Sequence, residues 1–192
     1  MASADPFPNA ARQSVADQIA GLLPITPARL VAPAALEDDG GPELTESFAV
    51  CVLHAGQVKK PPADLRELVR PSGVWHHQIR HSGTATHFAR SIQPGFDPDE
   101  QGVQQLTESP VAAQIDRVIR WIDRRAPGRA TARLLVAPAY YLHAFAIIRD
   151  DKLTAVLADQ PKDFHRIEYE REYPFKDFLK LLAKEKLAGS LG

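Results

Sequence analysis

Two apolar runs, "LHAFAII" and "LTAVLA", flank the charged tetrapeptide "RDDK" and constrain this chain more than any other stretch. Each run has the length of one strand, and the charged link suits a reversal, so the pair reads as an antiparallel hairpin. Upstream, "ARLLVAP" supplies another strand. Pro138 breaks it, because proline removes a ladder donor and is confined to strand ends, edges and bulges. Downstream, "RIEYERE" sets Ile167 and Tyr169 against charges at alternate positions, as a half-exposed edge strand does.

Helical periodicity surrounds these runs. In "SPVAAQIDRVIRWIDRRAPG", Ser109 suits the N-cap and Pro110 the first helical position. Val111, Ile115, Val118, Ile119 and Ile122 form one apolar stripe, and Pro127-Gly128 ends the helix. Residues 10–23 predict a first helix with Val15, Ile19, Leu22 and Leu23 on one face. "PADLRELVRP" predicts a short helix with Leu65, Leu68 and Val69 inward. Pro174 opens a last helix that turns Phe175, Phe178, Leu179 and Leu182 inward. "ESFAVCVLHAG" reads as a buried strand, and "QPGFDPDEQG" as a loop. Residues 24–44 carry four prolines and an acidic cluster, which predicts an extended connector. The expected fold is α+β: an antiparallel sheet of about five to six strands with helices packed on one face, plus a Pro-rich N-terminal arm. Residues 1–44 form the helix and connector of that reading, and residues 45–192 the α+β domain.

The stretch "VWHHQIRHSGTATHFARS" holds four of the seven histidines. Ser82-Gly83 predicts a two-residue turn with His81 facing Thr84. Alternation then puts Trp75, His77, Ile79, His81, Thr84, Thr86, Phe88 and Arg90 on one face, packed on helices, with His77 bonded to backbone. The opposite face takes His76, Gln78, Arg80 and His87, polar groups suited to solvent, an anionic ligand or a partner, with His76 and His87 as diagonal neighbours. The histidines are thus divided two and two, whereas a catalytic zinc needs three protein ligands. No metal is expected.

Several classes of function are disfavoured. The formal net charge of −1 provides no general attraction to nucleic acid or membrane. Locally, Glu37, Asp38, Asp39, Glu43 and Glu46 precede a stretch with six bases between residues 51 and 90, and blocks of this kind steer partners or pair with each other. Cys51 is the single cysteine, which excludes an intramolecular disulfide and argues against a thiolate zinc site. The first residues have neither a basic start nor an apolar run, so no signal peptide is expected. No run of about 18 apolar residues predicts a transmembrane helix, and a cytoplasmic location is the default. No Gly-rich phosphate loop or Gly-x-Ser-x-Gly elbow is present, and no cofactor is expected.

One stretch, "LHAFAIIRDDKLTAVLADQ", resembles papain-like and transglutaminase-like thiol enzymes. In those families a histidine opens one strand, and an acidic or amide residue near the end of the next orients it. The resemblance covers about a tenth of the chain. It implies a thiol hydrolase or transferase with Cys51 as nucleophile, His143 as base and Asp159 as orienting carboxylate. Those families place the cysteine at a helix start, whereas "FAVCVLHAG" reads as a strand. A two-residue turn at Asp151-Lys152 sends His143 and Asp159 to opposite faces, and a three-residue turn from Asp150 brings them together. "PAYYLH" adds Tyr140 and Tyr141, residue types common at protein-binding surfaces. The leading expectation is a non-catalytic protein-binding module, an accessory, adaptor or inhibitor subunit, with Gln78, Arg80, His76, His87, Tyr140 and Tyr141 as its binding residues. The thiol enzyme is the alternative, and a metal-binding module through the hairpin histidines is third.

Overall fold

The computed structural model describes residues 2–4, 7, 9–22, 43–81, 83–92, 102–125 and 130–187. The predicted connector and the "QPGFDPDEQG" loop lie almost entirely outside them. In chain order the elements are β1 (Ala2–Ala4), α1 (Asn9–Leu22), β2 (Glu43–Val52), α2 (Ala55–Lys59), a 3-10 turn (Leu65–Val69), β3 (Val74–His81), β4 (Thr84–Ile92), β5 (Gly102–Glu108), α3 (Pro110–Arg125), β6 (Ala130–Ala137), a second 3-10 turn (Pro138–Tyr140), β7 (Leu142–Arg149), β8 (Lys152–Asp159), β9 (Glu172–Pro174) and α4 (Phe175–Leu182).

The α+β reading holds, and the sheet is mostly antiparallel, but it is larger than five to six strands. Among the described residues, nine strands form one sheet in the order β5-β4-β3-β2-β6-β7-β8-β9, with β1 beside β6. Two antiparallel meanders, β2 to β5 and β6 to β9, meet at a parallel seam where Val50, Cys51 and Val52 lie beside Leu134, Leu135 and Val136. β5 ("GVQQLTE") escaped the apolar pattern because Gln104 and Gln105 interrupt it. The edge strand read in "RIEYERE" shrinks to Glu172–Pro174, preceded by a single bridge between Leu157 and Tyr169.

The expectation of helices on one face is also corrected. Alternation sends Phe48, Val50, Leu134, Phe145, Ile147 and Val156 to one side, where they pack with Ile115, Val118, Ile119 and Ile122 of α3. On the other side, Cys51, Leu135, Ala144 and Leu157 pack with Phe175, Phe178, Leu179 and Leu182 of α4 and with Val58 of α2. Val15 and Ile19 of α1 cover Ala49, Trp75, Ile79 and Ala89 on that same side, over the other meander. The central strands are apolar on both faces, as a doubly covered sheet requires.

Local rules account for the ends of these elements. Ser109 Oγ accepts from the Val111 N–H at 3.2 Å, the expected cap of α3. β6 stops before Pro138, and Asp64 caps the first 3-10 turn through the Arg66 N–H at 2.9 Å. α1 is tied to the sheet by Arg12, which donates to the carbonyls of Leu44 at 3.0 Å and Thr45 at 2.7 Å. Among the described residues no helix is long and apolar enough to cross a membrane.

Candidate functional site

The histidine stretch is the predicted hairpin, with His81 opposite Thr84. A bulge then inserts one extra residue in β4: Arg80 pairs with Ala85, but Ile79 pairs with His87. Beyond the bulge every β4 side chain changes face relative to the regular register. His87 moves to the side of Ile79, so it is no neighbour of His76. Phe88 moves to the side of His76 and stacks on its ring, with centroids 4.9 Å apart. The histidines opposite α3 fare differently. His77 lies between Ser47 Oγ (2.9 Å from Nδ1) and Ser91 Oγ (2.7 Å from Nε2), bonded to side chains rather than to backbone.

The face assigned to solvent or a partner is instead covered by α3. His76 and Gln78 are buried. Gln78 donates to the Ala112 carbonyl at 3.3 Å. Arg80 bonds Asp116 of α3 through Nε at 3.0 Å and Glu46 of β2 at 2.9 Å, and Asp116 also accepts from Arg120 at 2.9 Å. These residues anchor a helix. The tyrosine pair divides: Tyr140 is fully buried with its ring edge toward Phe164, whereas Tyr141 is 70% exposed.

The Cys51, His143 and Asp159 set is only partly assembled. β7 and β8 reverse through the two-residue turn Asp150-Asp151, one position earlier than the two-residue alternative considered from sequence. Regular pairing from this turn would leave His143 opposite Ala158, but the register shifts between His143 and Ala144 and brings Asp159 opposite His143. Nδ1 of His143 lies 3.7 Å from Oδ2 of Asp159, an ion-pair distance longer than a hydrogen bond. Cys51 is elsewhere. It pairs with Leu135, which pairs with Ala144, while His143 pairs with Val136. The thiol and the imidazole therefore point to opposite faces of the sheet. Cys51 lies within a strand, fully buried, and its Sγ donates to the Val69 carbonyl at 3.1 Å. Cys51, His143 and Asp159 therefore do not share one site.

What shares the α3 side of the sheet is a different group of polar side chains. His76 pairs across the hairpin with Arg90, whose guanidinium lies 5.5 Å from the Phe88 ring centroid. Both ring nitrogens of His76, Nε of Arg90 and Nδ1 of His143 are buried without a hydrogen-bond partner. Burial, followed by the charges of Arg90, His143 and His77, holds the His76 pKa well below the ordinary histidine value, so its ring is neutral. Burial also lowers the pKa of Arg90. The outer end of this region is more open, since the side chains of His143 and Asp159 are 19% and 27% exposed. Among the described residues no group of three His, Cys, Asp or Glu side chains has metal-ligand geometry.

The two exposed large hydrophobic residues of the described chain are Tyr141, two residues before His143, and Tyr169, on whose hydroxyl the Asp159 charge acts. Tyr141 has φ 47 and ψ 41, the left-handed region, and its N–H bonds back to the Pro138 carbonyl at 3.1 Å. Glu170, beside Tyr169, has φ 56. Such backbone is disfavoured for non-glycine residues and collects at functional sites. From sequence, Arg90 and Phe88 fall on the face of Trp75 and Tyr169 falls in an edge strand; none of the three is among the expected binding residues. Their roles depend on the β4 bulge and on a single β-bridge, which have no periodic signature. A comparison of the chain with family models, curated proteins and solved structures finds no match.

Proposed function

We propose that this chain is a non-catalytic, cytoplasmic protein-binding module, and that its contact surface is the end of the sheet carrying Tyr141 and Tyr169. The observation that carries this reading is the exposure of these rings, 70% and 42%, in a molecule whose other large apolar side chains within the described residues are covered. Exposed tyrosines give a partner large apolar area with a polar tip at low entropic cost. The left-handed backbone at Tyr141 supports the same reading, because the sequence retains a bulky residue where glycine or asparagine would be less strained. The near-neutral net charge favours a protein over nucleic acid. The separation of Cys51 from His143 argues against the thiol enzyme.

Photo-crosslinking tests the proposal. A benzophenone amino acid at position 141 is expected to give one dominant protein adduct in cells, and Tyr169→Ser should lower its yield about tenfold, as loss of an interface hot spot does. Tyr141→Gly should abolish the interaction while leaving stability unchanged or raising it by about 0.5 kcal/mol, since relief of left-handed strain outweighs the added chain entropy. The same adduct pattern from position 141 and from an exposed control such as Lys176 would sink the reading.

A further inference from the structure

Two adjacent rungs of the β3-β4 hairpin put four side chains together on the α3 side. His76 pairs with Arg90, and Gln78 with Phe88. Directly opposed residues share a face, and the next rung on that face lies two residues along. The contacts agree, since the Phe88 ring stacks on His76 at 4.9 Å and lies 5.5 Å from the Arg90 guanidinium. Beyond His76 the row continues to Phe48 of β2, which closes it with part of the apolar core. Beyond Arg90 it continues to Gln105 of β5. Exposure rises in that direction, from His76 at 1% through half-buried Arg90 to exposed Gln105, so the group opens toward the β5 edge.

Four atoms of this group are buried with no hydrogen-bond partner: both ring nitrogens of His76, Nε of Arg90 and Oε1 of Gln78. Two of them donate and two accept. The neutral His76 ring has one nitrogen of each kind, Arg90 Nε is a donor, and Gln78 Oε1 is an acceptor. The Arg90 charge acts on the His76 ring, and burial alone shifts the Arg90 pKa, downward, with no carboxylate raising it. The nearby acids Glu46 and Asp116 are engaged by Arg80. A ligand suited to this set carries one negative charge, an accepting oxygen for each donor and a hydrogen for an acceptor. The two donors stand one cross-strand spacing apart, about 5 Å between Cβ atoms, which suits an anion of about four heavy atoms. We propose that the His76–Arg90 rung binds a small oxyanion that carries its own proton, of the hydrogencarbonate class. Its anionic oxygens accept from Arg90 Nε and from the donating nitrogen of His76, and its hydroxyl donates to Gln78 Oε1. The site is separate from the tyrosine surface, and neither reading depends on the other.

The test uses the full chain and three probes: sodium hydrogencarbonate, sodium nitrate and acetamide. Nitrate is planar and charged but has no hydrogen to donate, whereas acetamide has hydrogens but no charge. Histidine ring resonances are followed by NMR at pH 8 and one ionic strength. That pH lies well above the range in which His76 titrates, so a shift of its ring reports contact and not protonation. Saturable shifts of His76 are expected with hydrogencarbonate, binding about tenfold weaker with nitrate, and none with acetamide. His77, on the opposite face of β3, should not move. Arg90→Gln should weaken hydrogencarbonate about tenfold or more. His76→Phe keeps a ring to stack on Phe88 and removes both nitrogens. It should fold with an unchanged or raised Tm and lose binding, read from the Arg90 Nε–H resonance. Absence of saturable His76 shifts at tens of millimolar hydrogencarbonate overturns the proposal. So does nitrate binding as tight as that of hydrogencarbonate, or a folded Arg90→Gln or His76→Phe chain that binds like the native one.

Discussion

His77 is held between two serine hydroxyls, with the Phe7 ring edge-on at 4.9 Å. In the neutral ring one nitrogen donates and the other accepts, and since a hydroxyl can also accept from a protonated ring, it is burial rather than these bonds that keeps the imidazole neutral. Burial, with a smaller contribution from the Arg12 charge, lowers its pKa from 6.5 to about 4. The unfolded chain therefore binds a proton between those values that the folded chain refuses. Stability is fully present above pH 6.5 and falls as pH drops through the window to about 4, by about 1.4 kcal/mol per unit. Between pH 7 and pH 5 the His77 share of the loss is about 2 kcal/mol. Urea unfolding at both values measures it, and His77→Gln should show a correspondingly smaller difference between them. His76, shifted in the same direction, steepens the fall in both proteins.

At the scale of elements, α3 is fastened to the hairpin by a compact charge network. Asp116 is 7% exposed and receives Arg80 from β3 and Arg120 from its own helix. Asp116→Ala leaves Arg80 half-buried with only Glu46, and it should cost about 2 kcal/mol in chemical denaturation. Adding Arg80→Met should recover a large part of that loss, because an apolar pair of similar volume needs no compensating charge. An undiminished loss in the double variant would mean that the network acts through Glu46 instead. The helices and most strands were legible because 3.6-residue and two-residue periods survive in composition, as in the stripe from Val111 to Ile122. What was illegible turns on single insertions. The β4 bulge moves Phe88 and Arg90 to the face of His76, and the β8 irregularity moves Asp159 to His143; neither is marked by glycine or proline. The reading of Gln78 and Arg80 as surface groups failed for another reason. Their partners, Ala112 and Asp116, lie more than thirty positions away, and polarity alone does not reveal a remote buried partner.

For the whole molecule, Cys51 reports on integrity, because it sits in the seam between the meanders, fully buried and bonded to the Val69 carbonyl. Iodoacetamide should label it slowly in the native protein at pH 7 and rapidly in denaturant, and His143→Ala should not alter the native rate. Rapid native labelling that depends on His143 would revive the thiol enzyme. The seam has a further consequence, for the route by which the chain reaches this structure. Each meander is contiguous in sequence, so its contacts are local and its hairpins close early. The seam joins residue 50 to residue 134, and it therefore waits until both halves are formed. Until then Val50 to Val52 and Leu134 to Val136 are unsatisfied apolar strand edges, able to pair with the same edges of another chain. Refolding yield should consequently fall as protein concentration rises, although the finished sheet has buried those edges at its centre.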